Sequence, residues 1–314
     1  MRLWGVQSTI WMAALLNLAI AGAVFLIFRP PLKDKGHDLP AHEFFTLDKR
    51  EKSILLSFGV SGMVALIYQV AWNRILSLLL GSSVYAFSLI LTVFILGLAF
   101  GTVSFSRLLN KFSDFMKVYG VTQLVIGLYS LAIIPLFGQI PFANRWIYEN
   151  WGLQFEFVQL ANFLIIFSLI FIPTFFMGAQ FPLVIKLTAR KLENLGHHVG
   201  RAYAFNTVGA IVGSFVAGFI LIPELGLQTT LISGVFLNIL LGIGILALGA
   251  KLNFNTKVCA LPLVLMFSVL TAKSLGPWDK SVISSGSFMP YRIKDLKEAE
   301  LKKNKILFFK EGIH

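Results

Sequence analysis

In this 314-residue chain the side chains able to do chemistry are few and thinly spread. His197 and His198 are adjacent on a glycine-flanked segment that reads as a loop, and Cys259 is the single cysteine. Polar groups recur inside otherwise apolar runs: Tyr68, Gln69, Asn73 and Arg74; then Gln180 and Lys186; then Arg201, Tyr203 and Asn206; and finally Asn238. Two neighbouring histidines need further ligands before they hold a metal, so no metal site is read here. A lone cysteine excludes an internal disulfide and a cysteine-built metal centre. The sequence offers no phosphate-cradling glycine loop, no nucleophile elbow and no HExxH motif. No catalytic residue and no cofactor are therefore assigned to the chain. The chemistry left is binding. Polar groups in an apolar surrounding are costly and turn toward partners, which selects Gln69, Arg74, Gln180, Lys186, Arg201, Tyr203 and Asn206 as candidate binding residues near helix ends or breaks. Carboxylates are absent from the middle of the apolar runs, and that argues against a proton- or cation-coupled relay.

Composition says what must position these residues. Of the chain, 56% is hydrophobic and 13% charged, with 30 Phe, and the mean hydropathy is +0.77. A soluble domain carries about 25% charged residues and could not hide so much apolar surface. Disorder, a disulfide scaffold and a collagen-like fibre are excluded with it. The expected class is an all-α polytopic membrane protein. Its net charge of +12 suggests nucleic acid, but the basic residues lie in short loops between apolar runs rather than on a polar fold. No nucleic-acid partner is expected.

A spanning helix takes about 20 apolar residues, and that window finds eight candidates: 8–28, 54–71 (extendable to Leu80), 84–106, 118–138, 157–185, 202–222, 226–249 and a weak one at 258–273. The first is too long for a cleaved signal peptide and is followed by Arg29, Pro30 and Pro31, so it reads as an uncleaved extra helix. The expected organisation is that helix over 1–30, a basic loop over 31–52, a polytopic domain over 53–273 and a polar tail over 274–314. In the tail, 293–301 has the pattern of a short amphipathic helix and 305–310 that of a strand, which alone has nothing to pair with.

Loop charge gives the orientation. The connections 29–52, 107–117, 186–201 and the pair Lys251 and Lys257 hold fifteen Lys and Arg, against Arg74 and Arg145 in the alternate loops and Arg2 at the N-terminus. The fifteen define a cytoplasmic face, where anionic lipid headgroups are the expected partners. Residues 273–314 add nine more basic residues, and counting alone leaves the side of the tail open.

Two further patterns concern packing. Gly209, Gly213 and Ala217 recur every four residues, as do Ala210, Ser214 and Gly218, and Gly97 and Gly101 repeat the spacing. Such ridges let helix backbones approach closely. Pro173 and Pro182 in the fifth segment each remove a backbone donor, which predicts kinks or breaks and freed carbonyls near Gln180.

The runs 61–107 (SGMVALIYQVAWNRIL…), 171–187 (FIPTFFMGAQFPLVIKL), 200–228 (GRAYAFNTVGAIVGSF…) and 278–292 (WDKSVISSGSFMPYR) together resemble the membrane part of the bacterial fused spermidine synthase-like (polyamine aminopropyltransferase-like) family, over roughly residues 54–314. The resemblance implies a multi-pass module of the inner membrane, with six core helices like half of a major-facilitator bundle, built as three plus three. It implies that aminopropyl transfer from decarboxylated S-adenosylmethionine to a polyamine belongs to a C-terminal synthase domain beyond residue 314, so no family catalytic residue maps onto this chain. The expected function is an anchor for that domain, supplied in cis or in trans. Two alternatives are a stand-alone small-molecule or polyamine transporter, and a structural partner for other membrane proteins.

Overall fold

The computed structural model describes residues 5–27, 48–151, 154–189, 195–254 and 256–283. Among these the chain is helical, with no strand. The expected amphipathic helix at 293–301 and strand at 305–310 lie outside the described residues, as does most of the 31–52 loop. The chain divides into two units, Met1–Thr46 and Leu47–His314. The first contains helix α1, Gly5–Ile27, which carries the apolar stretch Ile10–Ala23.

In the second unit, α2 (Lys49–Leu80) starts after Asp48 and places Glu51 in its first turn, where a carboxylate complements the helix dipole. It begins inside the expected loop and ends at Gly81, whose φ of 92° only glycine adopts without strain. Ser83 caps α3 (Val84–Leu108) by accepting from the Ala86 N–H. A tight turn, Leu109–Lys111, and the cap Asp114 lead into α4 (Phe115–Phe137). The twelve-residue α5 (Ile140–Trp151) was not expected from hydropathy. It is tied to α2 by Asn144, whose side-chain amide donates to the Leu79 carbonyl at 3.2 Å.

Helix α6 (Phe155–Thr188) is one continuous element through Pro173 and Pro182. Pro182 cannot donate to the Gly178 carbonyl four residues back. The Thr102 hydroxyl of α3 donates to that oxygen instead, at 2.9 Å. The expected break is thus replaced by a neighbour's hydrogen bond. Helix α7 (Leu195–Val216) contains His197 and His198 in its opening turn, so they sit on a helix rather than a loop. It continues through a π-helical stretch, Ala217–Leu221, and a last turn, Ile222–Leu225. After Gly226 come α8 (Leu227–Leu248), a second π-helical turn (Thr256–Ala260) and α9 (Leu261–Ser274).

Seven helical stretches among the described residues are long and apolar enough to cross a membrane: 49–80, 84–111, 115–137, 156–188, 195–225, 227–248 and 256–274. The chain reads as a multi-pass helical membrane bundle. Its helices pair in a regular way. The most extensive contacts are α3 with α6, α2 with α7 and α4 with α8, followed by α4 with α6 and α2 with α8. Exchanging the triplet α2–α3–α4 for α6–α7–α8 converts each pairing into itself or into another in the set. Successive spans alternate in direction, so α2 and α6 run oppositely and the two triplets form an inverted repeat.

Glycine closes all three main pairings. A methyl group on Gly209 or Gly213 would overlap the carbonyls of Gly59 and Met63 on α2; one on Gly97 or Gly101 would overlap Thr174 and the Phe175 carbonyl on α6; Gly120 and Gly242 face each other between α4 and α8. The largest buried cluster lies among these helices, around Tyr68, Trp72, Ile75, Ile126, Ile166 and Val235.

Candidate functional site

The α2–α3 side of the bundle carries two adjoining pockets. The larger has a volume of about 890 Å³ and lies between α2, α3 and the π-helical end of α7. Its α2 wall is a single helical stripe, Leu66, Gln69, Val70, Asn73, Arg74 and Ser77, at spacings of three and four that keep side chains on one face. Opposite them Phe87, Ile90, Leu91 and Phe94 form an apolar α3 wall by the same spacing. Ser82, Ser83 and the first turn of α3 close the outer end, and Gly218 and Ile222 form the third side.

The smaller pocket, about 420 Å³, lies deeper between α2, α3, α6 and α7 and shares Leu66 and Phe94 with the first. Its polar lining is Ser61, Thr102, Gln180, Tyr203 and Asn206. Ser61 donates its hydroxyl hydrogen to Gln180 Oε1. Gln180 is 2% exposed and its Nε2 is buried with no hydrogen-bond partner, an arrangement that costs free energy unless water or a ligand accepts from it. Phe181 meets Tyr203 edge-on at 5.5 Å and Phe58 at 6.2 Å, so the floor is aromatic.

Of the residues expected from sequence, Gln180, Tyr203 and Asn206 line the deeper pocket, and Gln69 and Arg74 the larger one. Lys186 and Arg201 are elsewhere. Lys186 is exposed at the far end of α6, its ammonium 5.9 Å from the Phe115 ring centroid. Arg201 is buried where α7 meets α2, with Nη1 3.2 Å from Glu51 Oε1, and His198 Nδ1 lies 3.1 Å from the same oxygen. That trio ties two helices together. Sequence reasoning missed Ser61, Thr102 and Ser77, and it noted Asn73 as a polar group in an apolar run without selecting it for binding, although the α2 stripe was visible as a three-and-four repeat. It also missed Glu51, hidden among Lys49, Arg50 and Lys52.

The same end of the bundle is held by Asp114. One carboxylate oxygen accepts from the Lys117 N–H at 3.0 Å, the other from the Lys251 N–H at 2.8 Å. Burial opposes the charge, but backbone N–H groups of Lys117, Lys251 and Met116 and the Lys251 cation outweigh it and hold this carboxyl below its ordinary pKa. Lys257 Nζ donates to the Ala247 carbonyl at 2.7 Å, closing the end of α8. Opposite, beyond α9, the Trp278 ring N–H donates to the Ile134 carbonyl at 3.0 Å and its backbone N–H to Gln228 at 2.9 Å. Among the described residues no group of three or more His, Cys, Asp or Glu is placed to hold a metal.

This geometry belongs to a sequence with few likenesses. No family model matches the chain, and no solved structure matches it. Among curated proteins it is 24% identical over 180 residues to a polyamine aminopropyltransferase of Leptospira interrogans, covering 57% of this chain and 32% of that protein. It is 25% identical over 182 residues to polyamine aminopropyltransferases 2 and 1 of Ralstonia nicotianae, covering 56% of this chain and 32% and 31% of theirs. The chain thus spans about a third of the length of the curated relatives it matches, and the likeness to polyamine aminopropyltransferases is weak and partial.

Proposed function

We propose that the chain is the multi-pass membrane module of a spermidine synthase-like protein and holds a polyamine aminopropyltransferase-type domain at a bacterial inner membrane. The observation that carries this reading is the local match to polyamine aminopropyltransferases, 180 residues long. Fewer residues than that lie outside the 47–283 bundle, so the match necessarily includes membrane helices. The two pockets on the α2–α3 side present hydroxyls, amides and one guanidinium among their lining residues, a set suited to binding rather than to group transfer. In this reading decarboxylated S-adenosylmethionine and its polyamine acceptor bind in the attached domain, in cis or in trans. The Lys- and Arg-rich end of the bundle meets anionic headgroups. A polyamine carrier is the weaker reading: the deeper pocket has an aromatic floor that could face a cation, but the lining residues of both pockets include no carboxylate to pair with a polycation.

The test is to tag the chromosomal gene at its N-terminus, read the product's mass in isolated membranes, and assay those membranes for aminopropyl transfer. The expected result is synthase activity that sediments and co-purifies with the tag. Membrane-bound activity unchanged by deletion of the gene would overturn the proposal.

A further inference from the structure

The larger pocket combines four features that point to one class of ligand. Its ionised lining side chain is Arg74, exposed in the second-last turn of α2, with Asn73, Ser77, Ser82 and Ser83 around it and no carboxylate in the lining. The first turn of the 25-residue α3 opens into the same space, and helix N-termini favour anions. Directly below, Phe87, Ile90, Leu91 and Phe94 make an apolar wall continuous with the lipid-facing surface, where Phe87 is 49% exposed. The third side is Gly218, in the π-helical stretch of α7. A Cβ added at Gly218 would meet nothing within 4 Å, unlike those at Gly209 and Gly213, so packing within the protein does not require a glycine there. Its lack of a side chain leaves the pocket open. Interruptions of this kind are frequent where helices carry function.

Arg74 lies six residues before the end of α2, about 9 Å along the axis at 1.5 Å per residue. That places it at headgroup depth on the side away from the basic loops, with the apolar wall reaching toward the bilayer centre. We propose that this pocket binds one anionic phospholipid. Its phosphodiester would sit between Arg74, the serine hydroxyls and the α3 N-terminus, and an acyl chain along Phe87, Ile90, Leu91 and Phe94. Arg suits a phosphate because its planar fork offers paired donors. The site prefers a net-anionic headgroup to a zwitterionic one, because its lining has no carboxylate to receive a choline ammonium. It is distinct from the general attraction of anionic lipid to the basic loops at the opposite end, and it stands independently of the proposed synthase partnership.

The experiment is native mass spectrometry of the full chain in detergent, titrated separately with phosphatidylglycerol, phosphatidylcholine and glycerol 3-phosphate. The expected result is one retained phosphatidylglycerol per chain, bound about tenfold more tightly than phosphatidylcholine, with glycerol 3-phosphate not retained. Arg74→Gln and Gly218→Leu each weaken it about tenfold, while Lys111→Gln at the opposite end leaves it unchanged. Equal retention of both lipids, or retention indifferent to both pocket variants, would show an unselective lipid shell and overturn the proposal. Retention of glycerol 3-phosphate as tight as that of the lipid would assign the site to a soluble anion and overturn it as well. Each variant is first checked for wild-type melting and monodispersity. If Arg74→Gln does not fold, Gly218→Leu decides alone, since the added side chain enters open space.

Discussion

A guanidinium 5% exposed at the end of a membrane helix persists only when its charge is answered nearby. Arg201 finds that answer in Glu51, 150 residues away in sequence, and His198 shares the same carboxylate oxygen. Arg201 was legible as a polar residue opening an apolar segment, but the sequence pointed to binding, and the structure places it in an ion pair between α2 and α7. Its partner was illegible because Glu51 sits in a run that loop charge reads only as basic. Removing either partner leaves a buried charge poorly compensated, so Glu51→Ala and Arg201→Ala should each lower stability by about 3 kcal/mol. The double variant should cost clearly less than the sum. Unfolding midpoints in detergent measure all three. Additive losses would mean that the two side chains do not act as a pair.

The helices themselves were written in hydropathy, and all but one of the elements longer than a few residues follow from it. The exception, α5, is a twelve-residue segment containing Asn144, Arg145, Glu149 and Asn150, too short and too polar for a spanning window. Its one buried polar anchor, Asn144, bonds a carbonyl that no local pattern identifies. The continuity of α6 was likewise invisible, since the hydroxyl that satisfies the Gly178 carbonyl comes from Thr102 on another helix. Glycine spacing foretold close packing of α3 and α7 but not their partners, because a ridge says that something approaches and not what. The structure names the partner for Gly101: a Cβ there would overlap the Phe175 carbonyl, whereas one at Gly244 on α8 would meet nothing within 4 Å. Backbone against backbone cannot yield as a flexible side chain can, so Gly101→Leu should cost more than about 3 kcal/mol. It should abolish a monodisperse peak in size-exclusion chromatography, and Gly244→Leu should elute as wild type. Equal behaviour of the two would refute the close α3–α6 contact.

At the scale of the whole bundle, the inverted repeat and the helix that follows it decide where the chain is delivered. Six alternating core spans return the chain at Leu248 to the end that carries Asp114 and Lys251, which are joined there by a hydrogen bond. One more crossing by α9 then brings it to the opposite end, where Trp278 docks on Ile134 and Gln228. Charge counting left this side open because nine basic residues from Lys273 onward pull against the fifteen in the loops. The contacts of Trp278 add what counting lacked, since they need residue 278 on the same side as the ends of α4 and the start of α8. A synthase-type domain following this bundle would then hang from the face opposite the basic loops. In a Cys259→Ser background, Lys111→Cys and Gly276→Cys report the two ends, both at exposed positions. An impermeant maleimide applied to intact cells should label Gly276→Cys and spare Lys111→Cys, and both should react after permeabilisation. Labelling of the two from one side would remove α9 from the set of crossing helices and move the attachment point to the basic face.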